Sequence, residues 1–512
     1  MRILWAIGLG MVLAACAELP SSSDRAEQGD GADGTTAYTN PATQTLQISD
    51  LTPGRPMGFR IDSEITFGQL QVYQAIITLP SAYVFNGFDA LGPAGTRIGA
   101  YGFEFNSSSP GPDRLLPMYS IDNNSAYVDS NLDGTENPLK PQVEYSLDNQ
   151  QNHVITITLP RGGDGSTSSN TADFSSDIMA SLRTGIFTNP ATAGVQAIQL
   201  NLISVDPDSG DANDNAGTAP DTLDFDRNIT TASSTLSASV LPSSRSVTFG
   251  TTATAFATIA NGGQTAATGC EISLLTVVKG GFSYQTTDPN TNALTGTINT
   301  PVDIPAGQSQ SFVIAFTPVQ EFYNSAIPFT PEDIELFFNC SGQQPALLPG
   351  VNTLLMSSGT VATPDVVSIA ATNSGDGILY LGGNTTTGAI GMAAINVGAT
   401  GDLIIQPRRG AAPGSDGPDF AGVPLPPPGL QLSICETTGN NGQCLGNSGT
   451  SQTVSGSYAQ NAVRTFTILA KGNGETIANN PAINRIFVDF VDSDGNVRGS
   501  TSVAVTTDAA PT

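Results

Sequence analysis

The C-terminal part of the chain reads RIFVDFV at 485–491, DSDGN at 492–496 and RGSTSVAVTT at 498–507. Two runs rich in β-branched and aromatic side chains, which favour strands, flank a turn that contains Asp-Gly. This dipeptide tolerates the positive φ angles of a tight turn, so it is a strong hairpin signal. The stretch therefore predicts paired antiparallel strands and an all-β fold around it.

Runs of the same kind recur through 363–512, which is predicted to be one β-sandwich domain. Cys435 and Cys444 bracket the turn sequence NNG at 440–442, so a disulfide between them would clip a small hairpin. Further strands of this domain are predicted at 366–371, 389–397, 430–435 and 464–469.

A second domain is predicted at 233–362. Residues 246–260 (SVTFGTTATAFATIA) give two strands that are separated at Gly250. Its remaining strands are predicted at 270–277, 311–316 and 334–340.

A strand, a Pro-Ala-Gly turn at 305–307 and a strand that ends in Phe-Thr-Pro at 316–318 resemble the immunoglobulin-like modules of the bacterial Ash and choice-of-anchor type. Together, the regions 233–362 and 363–512 resemble a tandem that recurs in alphaproteobacterial exported proteins. The resemblance implies tandem immunoglobulin-like β-sandwich domains, and it implies no activity.

Residues 45–232 are predicted to form a further β-sandwich domain. The segment 176–182 (SDIMASL) predicts one short helix within it. The phrase GIFTNPATAG at 185–194 resembles turns of bacterial surface adhesion sandwiches. Strands are predicted at 70–79, 153–159 and 196–204.

The N-terminus carries an export signal. Arg2 precedes an apolar run that is too short for a bilayer span of about 20 residues, so it fits a cleavable signal peptide, 1–15. The sequence Leu-Ala-Ala-Cys that ends at Cys16 resembles the lipobox of bacterial lipoproteins, which implies cleavage before Cys16 and its diacylation. An ordinary signal peptide with an incidental cysteine is the alternative.

Residues 16–44 are polar and rich in Gly and Ser, so they are predicted to be a disordered tether between the lipid and the first domain. Ala17 follows the cysteine in place of the Asp that would indicate inner-membrane retention. This favours the outer membrane, with the domains facing the periplasm or the cell surface. Two acyl chains would give stable anchoring.

The net charge of the chain limits the classes of partner that it is expected to bind. The chain carries 45 acidic and 18 basic side chains, a formal net charge of −27. Phosphate groups are bound by clustered Lys and Arg, so nucleic acid and anionic membrane surfaces are excluded as partners. The expected partners are the membrane through the lipid anchor, other envelope proteins or surface glycans, and further copies of the chain through exposed sheet edges.

Four cysteines remain beside Cys16, and an even number in an oxidising compartment predicts two disulfides. Three pairings are open. The pairs Cys270–Cys340 and Cys435–Cys444 are favoured because each falls within one predicted domain. Metal ligation is the alternative, although no CxxC spacing occurs.

Calcium is the candidate cofactor, and the first candidate site is the segment DSNLDGTE. Asp129, Asn131, Asp133 and Glu136 match the opening of a D-x-N-x-D-G loop, in which alternate oxygen side chains converge on one hard cation. The twelfth position of such a loop should be Glu but is Lys140. A solvated Asx-rich turn is therefore the alternative.

The second candidate calcium site is the segment DPDSGDANDN, with Asp206, Asp208 and Asp211. It follows a predicted strand and is expected to continue to Asp226 as one long acidic loop. Long loops in compact domains are functional or disordered, so calcium binding and a disordered acidic loop are the two interpretations.

No arrangement of residues in the sequence predicts an active site. His153 is the only His and begins a predicted strand, where a strand-edge role is expected, and no G-x-S-x-G elbow supplies a nucleophile. Glu64, Glu104 and Glu144 could pair as a glycosidase acid and base only at a suitable separation, which sequence does not give.

The chain is therefore predicted to be a non-enzymatic, lipid-anchored cell-envelope protein that serves in surface adhesion, binding or structural assembly. A hydrolase or glycan-binding protein that acts on cell-surface polymers through the first domain is the alternative.

Overall fold

The computed structural model describes most of the chain from residue 43 onwards. All of it lies in one compact unit, Thr39–Thr512. It contains strands and no α-helix, so no helix within it could cross a bilayer. The described ranges are 43–64, 71–86, 97–103, 114–120, 125–127, 142–158, 177–205, 221–229, 234–276, 280–318, 332–348, 350–409, 430–438, 442–445, 451–481 and 484–511.

The N-terminal strands form one antiparallel sheet, called here the first sheet, in the order β1-β2-β10-β5-β6-β7-β8-β9-β3-β11-β12, with β4 paired to β10. Its buried apolar side chains include Phe59, Ile77, Ile155 and Phe187. The strands are β1 (Thr43–Ile48), β2 (Pro56–Glu64), β3 (Gln71–Leu79), β4 (Val84–Phe85), β5 (Arg97–Phe103), β6 (Arg114–Ser120), β7 (Ser125–Tyr127), β8 (Gln142–Leu147), β9 (His153–Thr158), β10 (Asp177–Thr188), β11 (Gly194–Val205) and β12 (Asp221–Ile229).

Two sequence predictions for this region are wrong. Residues 177–182 of the predicted helix instead lie in β10, which pairs with β2 on one side and β5 on the other, and Ser176 lies outside the described residues. Ladder hydrogen bonds on both sides outweigh the weak helical preference of a short segment. The acidic loop also does not extend to Asp226, because Asp221, Asp224 and Asp226 lie on β12, paired with β11.

Nine strands build the second sandwich, which has one four-stranded sheet (β13-β15-β19-β17) and one five-stranded sheet (β14-β21-β20-β16-β18). Side chains from both sheets, such as Ile259, Phe312 and Phe338, share one core. The strands are β13 (Leu236–Leu241), β14 (Ser244–Thr248), β15 (Ala253–Asn261), β16 (Ala267–Leu274), β17 (Gly280–Thr287), β18 (Val302–Ile304), β19 (Ser309–Pro318), β20 (Glu332–Cys340) and β21 (Thr353–Gly359).

Nine further strands build the third sandwich, with sheets β22-β24-β28-β26 and β23-β30-β29-β25-β27. Its core includes Tyr458, Phe466 and Phe490. The C-terminal hairpin predicted from RIFVDFV is β29 with β30. The strands are β22 (Val366–Ala371), β23 (Ile378–Tyr380), β24 (Thr387–Asn396), β25 (Gly401–Arg409), β26 (Leu430–Thr437), β27 (Val454–Tyr458), β28 (Val463–Gly472), β29 (Arg485–Val491) and β30 (Val497–Thr506).

The second and third sandwiches repeat one topology strand by strand. In each, the first strand joins the four-stranded sheet, and the second crosses to the other sheet and pairs in parallel with the last strand. The side chains at equivalent core positions differ in size: Ala257 on β15 and Met392 on β24 occupy the same position in the two sandwiches. The all-β sandwich fold that the sequence predicted is confirmed.

The structure contains both favoured disulfides. Cys270 lies directly opposite Cys340 on the neighbouring strands β16 and β20, and the bond is buried. Cys435 on β26 is bonded to Cys444, nine residues further along the chain. Each bond therefore closes a loop within one sandwich.

Candidate functional site

The predicted calcium segments lie outside the described residues, but the strands beside them are described. Asp129, Asn131, Asp133 and Glu136 fall between β7 and β8 in sequence, and Asp206, Asp208 and Asp211 fall between β11 and β12. Within the described ranges, no three His, Cys, Asp or Glu side chains are grouped as metal ligands would be. Cys16 also lies outside the described residues.

The register of the first sheet places strand ends that flank these two acidic segments at one end of the sheet. Gln142 lies opposite Thr158, Thr158 lies opposite Gln74, and Gln71 lies opposite Val205. Three strand spacings, about 14 Å, separate β8 from β11. We call this end the acidic end of the first sheet, because both acidic segments are connected to strands there.

His153 is held by structural hydrogen bonds at both ring nitrogens. Its Nε2 lies 2.8 Å from the carbonyl oxygen of Tyr83, which can only accept, so Nε2 carries the proton. Its Nδ1 lies 2.8 Å from the hydroxyl of Tyr145. The ring also packs edge-on against Phe187. These contacts agree with the predicted strand-edge role.

The carboxylates considered for glycosidase chemistry are not on neighbouring strands. Glu64 ends β2 and Glu144 lies on β8, with four strands between them in the order of the sheet. Glu104 lies outside the described residues.

A buried carboxylate joins the first sheet to the second sandwich. Glu335 on β20 is 2% exposed and accepts hydrogen bonds from the backbone N–H of Thr184, 3.2 Å away, and from its hydroxyl, 3.1 Å away. Nearby, Arg60 donates to the carbonyl of Leu274 at 2.9 Å. This first junction is therefore polar and directional.

A second junction joins the second and third sandwiches through an ion pair. The guanidinium of Arg245 on β14 donates to Asp365 Oδ2 from Nε at 3.0 Å and from Nη2 at 2.8 Å. The backbone N–H of Ser246 donates to the other oxygen at 2.9 Å. Asp365 is 3% exposed, so both of its oxygens are paired away from water.

Serine side chains complete this second junction. The backbone N–H of Ser500 on β30 donates to the hydroxyl of Ser244 at 2.7 Å, and the hydroxyl of Ser243 donates back to the Ser500 carbonyl at 3.1 Å. Arg498 reaches the hydroxyls of Ser246 and Ser357. The two sandwiches therefore meet through buried polar groups with defined partners.

Each sandwich has a buried Asn at the end of its third strand, β15 or β24. The amide of Asn261 donates to the Ile304 carbonyl at 3.1 Å, and its oxygen accepts from Gly263 N–H at 2.9 Å. The amide of Asn396 donates to the Tyr458 carbonyl at 2.9 Å, and its oxygen accepts from Gly398 N–H at 3.1 Å. We call each of these turns an Asn corner.

The residue before the first strand of each sandwich closes its Asn corner. Gly262 N–H donates to the carbonyl of Thr235 at 2.9 Å, and Val397 N–H donates to that of Asp365 at 2.8 Å. Thr235 and Asp365 are therefore equivalent positions. At Asp365 the preceding sandwich supplies Arg245, so this corner is filled by the ion pair.

At the equivalent corner of the second sandwich there is an open cleft of about 360 Å³. Its walls are the turn 50–52 of the first sheet, residues 234–235, the Asn corner at 261–268, and the strand end at 340–344. Side chains with amide and hydroxyl groups dominate these walls, and no Lys, Arg or His is among the described residues that line the cleft. We call this the junction cleft.

Among the described residues that line the junction cleft, Asp50 is the one acidic residue, and it is 7% exposed. Its Oδ1 accepts from Thr52 N–H at 2.7 Å, and its carbonyl accepts from the Asn189 amide at 2.7 Å. Burial raises the pKa of Asp50 above its ordinary value, against the lowering effects of the hydrogen bonds from Thr52 and the charge of Arg55. The cleft thus presents neutral donors and acceptors and one desolvated carboxyl group.

The sequence analysis did not identify Asp50, Glu335, Arg245 or Asp365. One signal was present in the sequence: the Asn-x-Gly triplets at 261–263 and 396–398 each follow a strand of the tandem. No known protein-family profile matches the chain, and no curated protein matches it by sequence.

Proposed function

We propose that this protein is a non-enzymatic, lipid-anchored component of the cell envelope that holds a binding surface at a fixed orientation on tandem β-sandwiches. Cys16 carries the lipid, in the outer membrane, and the tether predicted at 16–44 ends before Thr43, where β1 begins. Adhesion, binding or assembly with other envelope components is the role of the folded part.

The observation that carries this proposal is the pair of polar junctions. The hydrogen bonds at Glu335 and the ion pair of Arg245 with Asp365 have directional geometry, so each fixes the orientation of the parts that it joins. Mobile spacer domains need no such buried bonds, whereas a protein that presents a surface benefits from a fixed one. The disulfides within both sandwiches fit the same purpose.

The acidic end of the first sheet supports the choice of binding over a purely structural role. Two segments rich in Asp leave one end of this sheet, and loops carried on a sandwich scaffold are common binding elements. The contacts of His153 to Tyr83 and Tyr145 support a structural role for the residue that a hydrolase with a histidine triad would need as its base.

The lipid anchor is tested by replacing Cys16 with Ser in the full chain. Without the acylated cysteine, the chain has no lipid to hold it, so we expect it to move from the membrane fraction to the soluble fraction. Fractionation with immunoblotting measures this, and Ala17→Ser is the matched control, which should stay in the membrane. A Cys16→Ser protein that also stays there would contradict the anchor.

Calcium binding at the acidic end is tested by thermal unfolding of the full chain with calcium and with excess chelator. A ligand that binds only the folded state stabilises it, by about 2.7 kcal/mol at one hundred times its Kd, and therefore raises the midpoint temperature of unfolding. We expect the Asp129→Ala, Asn131→Ala, Asp133→Ala triple variant to lose this shift, and Asp402→Ala to keep it. An unchanged midpoint in the unmodified chain would exclude calcium.

A further inference from the structure

We infer that the junction cleft is a binding site for a neutral sugar unit, held between the turn 50–52 of the first sheet and the Asn corner of the second sandwich. This site lies apart from the acidic end of the first sheet and so goes beyond the proposed function, and it rests on that proposal only for the location of the protein in the envelope.

The lining selects for neutral, polyhydroxylated ligands. Amide and hydroxyl groups both donate and accept, as each sugar hydroxyl does, and the exposed Gln264 and Thr265 side chains lie on the rim with no hydrogen bond within the described residues. A ligand anion would meet the carboxyl group of Asp50 and no basic side chain among the described lining residues. The volume lies in the lower part of the range of about 300 to 1,000 Å³ that small-molecule sites occupy.

In its ionised form, Asp50 gives this site an acceptor stronger than any neutral group. Its Oδ1 is used by the turn through Thr52 N–H, and a carboxylate has lone pairs left for sugar hydroxyls. The turn alone does not require a carboxylate, since the oxygen of an Asn side chain makes the same bond.

The charge of Asp50 also costs stability. Burial raises the pKa of Asp50 in the folded state above its value in the unfolded chain. The contribution of protonated Asp50 to the free energy of unfolding is therefore complete below the unfolded pKa, and it is lost as the pH rises through the folded pKa. A ligand that donates hydrogen bonds to the ionised form of Asp50 opposes this effect of burial, because hydrogen bonds to the charged form favour it.

The strand-by-strand repeat shows that such a cleft is not a necessary result of joining these sandwiches. At the equivalent corner of the third sandwich, Asp365 and Arg245 fill the space with an ion pair. At the second sandwich, Thr235 occupies the position of Asp365 and the space stays open, with a carboxyl group supplied from the opposite wall by Asp50. The same corner is therefore closed at one junction and accessible at the other.

Saturation-transfer NMR tests this inference with the full chain, purified in lauryldimethylamine oxide because this detergent contains no sugar. The probes are glucose, galactose, mannose and N-acetylglucosamine, with glucuronic acid as the anionic comparison. We expect saturation of at least one neutral sugar and none of glucuronic acid. The exposed Ala266 lies in the cleft wall, so Ala266→Trp should abolish the signal, while Ala293→Trp, at an exposed position outside the cleft lining, should keep it.

A second variant measures how much the carboxylate of Asp50 contributes to sugar binding. Asp50→Asn should weaken sugar binding roughly tenfold or more, because hydrogen bonds to a charged group are lost. Its thermal midpoint at pH 7 should be equal or higher, which separates loss of the site from loss of the fold.

No transfer to any neutral sugar, transfer that survives Ala266→Trp, or stronger transfer to glucuronic acid would each overturn the inference. None of these results would affect the membrane fractionation of Cys16→Ser, so the site and the anchor are tested separately.

Discussion

Replacing Cys270 and Cys340 together by alanine is expected to lower the free energy of unfolding by about 4 kcal/mol. The bond closes a loop across a sequence separation of 70 residues, and in the chain-entropy description a disulfide stabilises mainly by restricting the unfolded chain. Both cysteines are also buried in the core of the second sandwich, so the variant loses packing as well.

The second disulfide provides a matched control within the same protein. Cys435 and Cys444 are separated by only nine residues, so the same entropy description gives about 2.5 kcal/mol for their removal. Calorimetry of the full-length single-bond variants measures both, with the thiol content of the denatured proteins as the check on pairing. Equal losses, or a larger loss for the Cys435–Cys444 bond, would contradict this account.

The sequence predicted the strands best where apolar runs alternate and are closed by turn residues. The predicted strands at 366–371 and 485–491 agree with β22 and β29, and the division at Gly250 agrees with the turn between β14 and β15. The segment SDIMASL was mistaken for a helix because a short window shows no partner strands. Its conformation is decided by β2 and β5, which come from distant parts of the sequence.

The junctions and the cleft could not be predicted because their residues come together only in the folded chain. Asp365 lies 120 residues from Arg245, and Thr184 lies 151 residues from Glu335. In a chain with 45 acidic residues, the sequence around a single Asp or Glu does not indicate whether that side chain is buried. The calcium segments show the opposite case: their local pattern was visible, and it remains a prediction for residues outside the described ranges.

Asp365→Ala is expected to destabilise the protein by about 3 to 5 kcal/mol, the typical cost of removing one partner of a buried ion pair. The guanidinium of Arg245 and the backbone N–H of Ser246 would both lose an acceptor that is itself only 3% exposed. The carbonyl of Asp365 that closes the Asn corner is a backbone group and would remain, so the loss should fall on the junction rather than on the third sandwich itself.

This location gives the variant a signature that general destabilisation would not. If the ion pair couples the two sandwiches, Asp365→Ala should separate their unfolding transitions in calorimetry of the full chain and speed elastase cleavage near Val361, which is 68% exposed between them. Asp402→Ala, at an exposed position on β25, should change stability by no more than about 0.5 kcal/mol.

A double-mutant cycle with Arg245→Ala completes the argument, since partners in direct contact should show a coupling of about 0.5 to 3 kcal/mol. Additive effects of the two substitutions, or an Asp365→Ala protein as stable as Asp402→Ala, would mean that the junction is held by its serine contacts alone. A clear coupling would mean that the ion pair fixes the orientation of the two sandwiches, on which the presentation of a binding surface depends.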